Sequence, residues 1–222
     1  DHTVHLAWRT PGGVSAYDLA YYDDLFEAQI GCGGGCEFGV RFTPLGYPAT
    51  LSDLLISVQG DAGAFNANII AFLDPNGDVT GPDGLTPIVL ISGVDLSSPD
   101  GSLTQYEVDV SEANIEVTSG DIYIMIQENN SGFMGIANDI APQSPEYYDR
   151  NWAMVGGVYS TIFDAVGGDP SLTGDFGVQA SFFGNMGRST LNSANEDVSG
   201  ATVQAAPVSV GDFANVSAEP RS

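Results

Sequence analysis

Phe38-Gly-Val-Arg-Phe-Thr43 is the stretch on which the fold turns. Phe38, Val40 and Phe42 fall on one side and Gly39, Arg41 and Thr43 on the other, the two-residue period of a strand with one buried face. Segments of the same kind recur outward in both directions. Residues 51–58 follow a proline-containing turn, 65–73 (FNANIIAFL) are apolar and β-branched, and 87–92, 104–110, 121–127, 158–163 and 176–183 continue the series. Clusters of Gly, Pro, Asn and Asp, such as Asp74-Pro-Asn-Gly77 and Pro99-Asp-Gly101, separate them. No segment has the apolar spacing of a three-turn helix, and residues 111–117 offer one short turn at most. Regularly spaced strands without helices predict an all-β chain, a two-sheet antiparallel β-sandwich or jelly roll.

The sandwich is expected over residues 14–184, between two arms. Residues 1–13 begin with an alternating stretch that puts Val4, Leu6 and Trp8 on one side, set off by Pro11-Gly-Gly13, and read as a donor strand. Residues 185–222 are small and polar, with one strand-like run at 201–210 carrying Val203, Val208 and Val210. Pro207 confines that run to a sheet edge.

The chain has 222 residues and no lysine; five arginines face 29 acidic residues, a formal charge of −24, and 20 of the acids are aspartate. Such one-sided charge repels itself on compaction, so the fold is expected where cations are plentiful, as bound divalent metal, salt or both. No basic patch exists to meet phosphate, which excludes nucleic acid and anionic membrane as partners. There is no run of about 18 apolar residues, so membrane insertion is not expected. Asp1 fits a mature N-terminus left by signal cleavage, pointing to a secreted, extracellular or cell-surface protein.

Cys32-Gly-Gly-Gly-Cys36 allows a tight disulfide, since three glycines let the backbone fold back. Reduced thiols and a metal role are the alternatives, the latter lacking a second cysteine pair or a nearby histidine. A bridge would agree with an oxidising compartment.

Six blocks of sequence carry a family resemblance: Tyr22-Asp-Asp24, Val40-Arg-Phe-Thr-Pro-Leu-Gly-Tyr-Pro48, Asp74-Pro-Asn-Gly-Asp78 with Gly81-Pro-Asp-Gly84, Val108-Asp-Val-Ser111, Ser119-Gly-Asp-Ile-Tyr123 and Gly174-Asp-Phe-Gly-Val-Gln179. In this order, over roughly residues 17–183, they resemble a β-sandwich accessory domain that recurs in large secreted bacterial proteins, often beside peptidase or type IX sorting modules. Leu25 stands where that pattern has glycine, and the CGGGC insert is foreign to it. The resemblance implies a non-catalytic extracellular module without a defined ligand.

Asp74-x-Asn76-x-Asp78-x-Thr80 places oxygen ligands at positions one, three, five and seven of an EF-hand-like loop. Val79 replaces the glycine at position six and Leu85 the bidentate glutamate at twelve; Asp83 offers a late carboxylate instead. These five residues are the leading calcium candidates, beside the plainer reading of a hairpin turn. Asp23, Asp24 and Glu27 form a second candidate calcium group, and Asp139, Glu146 and Asp149 a third, beside the plainer reading of solvated acidic loops. Tyr147, Tyr148 and Trp152, with Tyr21 and Tyr22, are candidates for stacking on a sugar. With so many acids, carboxylate pairs arise by chance and do not argue for a glycosidase. The only histidines, His2 and His5, lie in the arm, and no GxSxG elbow occurs, so enzyme activity is not expected. The sequence points first to a calcium-stabilised structural subunit that assembles with itself, as filament or surface layer, through its terminal strands. The alternative is a carbohydrate- or surface-binding accessory module with polysaccharide as its partner.

Overall fold

The computed structural model describes residues 15–22, 25–31, 34–60, 66–78, 80–129, 135–140, 148–169 and 173–184. The assembly candidates Val4, Leu6, Trp8, Val203, Val208 and Val210 lie outside the described residues, as do Asp23, Asp24, Cys32, Glu146 and Tyr147.

Two antiparallel sheets face one another. The first holds β1 (Ser15–Leu19), β2 (Ala28–Ile30), β4 (Ala49–Gln59), β7 (Thr104–Asp109), β8 (Glu116–Val117), β10 (Gly135–Asp139), β13 (Asp175–Phe176) and β14 (Val178–Gly184). The second is built from β3 (Glu37–Phe42), β5 (Asn66–Asp74), β6 (Ile88–Asp95), β9 (Asp121–Glu128), β11 (Asn151–Val155) and β12 (Val158–Thr161), in the spatial order β12-β11-β3-β9-β5-β6. β4 anchors the first sheet, pairing with β14 and β10 and with β7 and β8.

Alternation in the sequence becomes the division between core and outer face. Phe38, Val40 and Phe42 of β3 point inward with Ile122, Ile124 and Ile126 of β9 and Ala67, Ile69 and Ala71 of β5. They meet Leu51, Leu54, Ile56 and Val58 of β4 and Phe176, Val178, Ala180 and Phe182 from the first sheet. Each large side chain so buried contributes about 1.5–3 kcal/mol. The residues between them, Gly39, Arg41, Tyr123, Met125, Gln127, Asn68, Ile70 and Phe72, occupy the outer face of the second sheet.

The expected strands at 51–58, 104–110 and 121–127 match β4, β7 and β9 closely. Two others are interrupted. The segment 158–163 leaves the sheet after Thr161, whose hydroxyl accepts from Asp164 N at 3.1 Å and caps the short helix α1 (Ile162–Ala165). The segment 176–183 breaks at Gly177, which lies so close to Ser57 that a Cβ would stand 2.7 Å from the serine's own. The short turn near 111 is a 3₁₀ turn over Ser111–Ala113.

Candidate functional site

The outer face of the second sheet is divided into a covered half and an open half. At the covered end, Ile70, Phe72, Tyr123, Met125 and Trp152 form an apolar cluster of their own, separate from the inter-sheet core. The β5–β6 connection lies over it through Gly81 and Leu85. Gly81 has φ +82°, and a Cβ there would stand 2.3 Å from the Trp152 ring. Leu85 packs on the same cluster. Trp152 meets Tyr123 edge to face at 5.7 Å and donates Nε1–H to Asp149 O at 2.7 Å.

Beside this cluster Arg41, buried, is held by carboxylates on two sides. Its guanidinium donates to Asp121 Oδ2 at 2.7 Å, Asp149 Oδ2 at 2.6 Å and Asp149 O at 3.2 Å. Thr43 Oγ1 donates to Asp121 Oδ1 at 2.5 Å and accepts from Arg150 at 2.8 Å; the Arg150 guanidinium lies over the Tyr21 ring at 5.1 Å. Burial pushes the Tyr123 hydroxyl up to about 12, against the pull of Arg41.

This geometry bears on two of the stacking candidates. Trp152 is 5 % exposed, with Gly81 on its ring and Tyr123 at its edge, so no ligand stacks on it while the loop is in place. Tyr148 is already stacked on Phe163 at 4.3 Å. Several of the calcium candidates have partners of their own. Asp74 is buried, and its Oδ1 accepts from Asn76 N and Gly77 N, both at 3.1 Å, which closes the turn. Asp78 Oδ1 accepts from Thr80 Oγ1 at 2.9 Å. Asp83 acts electrostatically on Tyr159. Among the described residues no three acidic, histidine or cysteine side chains are grouped to hold a metal. Glu27 Oε2 accepts from Ile140 N at 3.2 Å. Asp139 stands opposite Asp175 in the first sheet, whereas Asp149 belongs to the Arg41 network. Cys36 is buried and is not a free thiol; Cys32 lies outside the described residues, so their pairing stays an expectation.

The open half carries a feature that the sequence reading missed. Tyr159, Met154, Glu37, Gln127 and Asn68 are successive register partners across β12, β11, β3, β9 and β5, and so form one transverse row. Tyr159 donates to Glu37 Oε2 at 2.5 Å, Gln127 Nε2 to Glu37 Oε1 at 2.8 Å, and Asn68 Nδ2 to Gln127 Oε1 at 2.9 Å. Asn68 and Asn129 exchange amide bonds at 3.0 and 2.9 Å, Asn129 donates on to Asn66 at 2.9 Å, and Gly93 N of β6 donates to Asn68 Oδ1 at 3.0 Å. Glu37 is buried, Tyr159, Met154, Gln127, Asn68 and Asn66 are half-buried, and Asn129 is exposed. Burial, with the Glu37 hydrogen bond and the charges of Glu37 and Asp83, raises the Tyr159 hydroxyl above its ordinary value. One strand position further on, Met125 and Ile70 are buried, and Met125 Sδ lies against Gly39, where a Cβ would come within 2.7 Å of it.

Chemically this is a fixed array of amide donors and acceptors around one carboxylate, Glu37, and it is more apolar at its β11–β12 end. The amide groups hold one another in place, so little conformational freedom is left to lose when a ligand docks. The only sequence signal was Asn66-Ala-Asn68, two amides flanking an inward alanine.

No family model and no curated protein matches the chain. Solved structures do. The cysteine protease and lectin-like domains of Cwp84, a surface layer associated protein of Clostridium difficile, match at 12 % identity and a TM-score of 0.47, over 67 % of this chain and 32 % of that one. The same clostridial protease after propeptide cleavage matches at 11 % and 0.49, over 79 % and 41 %. Infectious bursal virus T=1 particles match at 13 % and 0.32, over 82 % and 36 %. The chain thus spans between a third and about two fifths of the chains it resembles. Likenesses this slight carry no argument about the site.

Proposed function

We propose that this chain is a non-catalytic binding module of an extracellular protein, which holds carbohydrate on the outer face of its second sheet. The observation that carries the reading is the row Tyr159–Met154–Glu37–Gln127–Asn68, extended by Asn129 and Asn66. Amides both donate and accept, as sugar hydroxyls do, and a partly apolar end suits the C–H face of a pyranose ring. The reading also agrees with a chain whose only histidines are His2 and His5 and which has no lysine. The assembly reading rests on arms outside the described residues, and no observation on the sandwich favours it.

Affinity electrophoresis of the full chain through gels containing a panel of polysaccharides tests the proposal. Retardation in at least one gel is expected, together with no release of reducing ends. The double variant Asn68→Ala/Gln127→Ala should migrate freely. Unretarded migration of the unmodified chain in every gel would overturn the reading, as would equal retardation of a variant shown to be folded.

A further inference from the structure

The row also limits which carbohydrate fits, an inference that rests on the binding reading above. Its side chains stand on five strands from β12 to β5, four steps of about 4.8 Å, or about 19 Å in all, with the backbone of Gly93 in β6 beyond them. Each step offers one outward side chain, so the repeat of the array is the strand spacing. A chain of equatorially linked pyranoses runs as an extended ribbon and advances by about one ring per such step. An axially linked chain coils away from a straight row, and a single sugar meets only a fraction of it.

Charge narrows the class further. Gln127, Asn68, Asn129 and Asn66 are neutral, and the one carboxylate on the row, Glu37, already accepts from Tyr159 and Gln127. Among the described residues no arginine stands on the row: Arg41 and Arg150 are engaged at the covered end with Asp121, Asp149 and Thr43. Uronate or sulfate groups would find no cation there and would face a chain of formal charge −24. The row is also asymmetric along its length, with Met154 and half-buried Tyr159, whose ring already meets Phe72 edge to face at 5.9 Å, at one end and amides to bind hydroxyls at the other.

We infer that the ligand is an uncharged, linear polysaccharide of equatorially linked pyranoses, lying across the strands with about five units in contact. Isothermal titration of the full chain tests this with neutral β-1,4-linked oligosaccharides of two to seven units, α-1,4-linked glucose oligomers and oligouronates, in chelator. Affinity should climb with length for the β-linked series, level off at about five units, and be about tenfold or more weaker for the other two classes. Because alanine variants disturb a mutual hydrogen-bond network, the site is also read in the unmodified protein. The side-chain amide signals of Asn66, Asn68, Gln127 and Asn129 should shift on titration. Tighter binding of oligouronates or coiled oligomers, or affinity independent of length, would overturn the ligand class while leaving the binding reading in place. Glycan binding that moves none of the four amides would overturn both.

Discussion

Gly81→Ala is the sharpest test of the covered half of the second sheet. The substitution has two costs. Alanine at φ +82° sits in the left-handed region, which costs about 1–2 kcal/mol. Its methyl group would also stand 2.3 Å from the Trp152 ring, which is fixed by its Nε1–H···O bond to Asp149 and by Tyr123 at its edge. Relieving that overlap displaces the loop or the ring and costs about 1–3 kcal/mol more. The sum, about 2–5 kcal/mol, lowers the melting temperature by roughly 5–15 °C in a domain of this size. Gly84→Ala supplies the control: its φ is +81°, and nothing lies within 4 Å of the added carbon. The backbone cost is shared by the two variants, so their difference isolates the contact. Calorimetry gives the two melting temperatures. Near-ultraviolet circular dichroism, in a Trp8→Phe background that leaves Trp152 as the only tryptophan, reports whether the ring has moved. Equal losses in the two variants, with an unchanged Trp152 signal, would refute the seating of the loop on the ring.

Arg41→Ala strands Asp121 as a buried carboxylate and should cost about 3–5 kcal/mol in urea unfolding; a loss below about 1 kcal/mol would contradict the Arg41 network. Tyr123 and Tyr159 both titrate higher in the folded chain than in the unfolded one, so their contribution is complete below the ordinary tyrosine value of 10.0 and is lost as pH rises above it. Unfolding free energy should therefore fall above pH 10, and Tyr123→Phe should flatten the part of that fall that runs towards about pH 12. Calcium at the Asp74 loop, proposed from the spacing of its oxygen-bearing residues, would add about 2.7 kcal/mol at a hundredfold excess over its dissociation constant. A melting temperature equal in chelator and in calcium, at fixed ionic strength, would leave Asp74 to its turn alone. A Cys32–Cys36 bridge predicts no alkyl adducts in intact mass without reductant, and two adducts would rule it out.

Strands were legible where one residue type serves one face. Phe38, Val40 and Phe42 announce β3 because nothing polar interrupts the inward set. β11 escaped notice because Asn151, fully buried, breaks its pattern; only the distant Asp175 and Phe176, which bond to its amide, make that position affordable. Fold class therefore survives a few missed strands, since each legible segment already fixes its own inward face. Sites behave differently. Asp74, Asn76 and Asp78 have the spacing of a cation loop and equally that of a turn closed by its own backbone, and local sequence does not separate the two. Trp152 beside two tyrosines reads as a stacking platform until Gly81, far away in the chain, is seen to lie on it. The amide row was the least legible, because strand order, which no local pattern encodes, brings residues 37, 68, 127, 154 and 159 into one line.

The β5–β6 connection gives the architecture a way to change the surface it presents without touching its scaffold. Replacing residues 75–87 with a shorter link, long enough for Asp74 to keep its pairing with Asp121 while Ile88 stays opposite Ala71, would keep the strand pairing of the second sheet. It would uncover Phe72, Tyr123 and Trp152 directly beside the amide row. The same six strands would then present an aromatic floor next to the amide row, a broader and more apolar surface. Loop length at this one hairpin thus works as a dial between a narrow polar track and a broad aromatic one, open to evolution and to engineering alike.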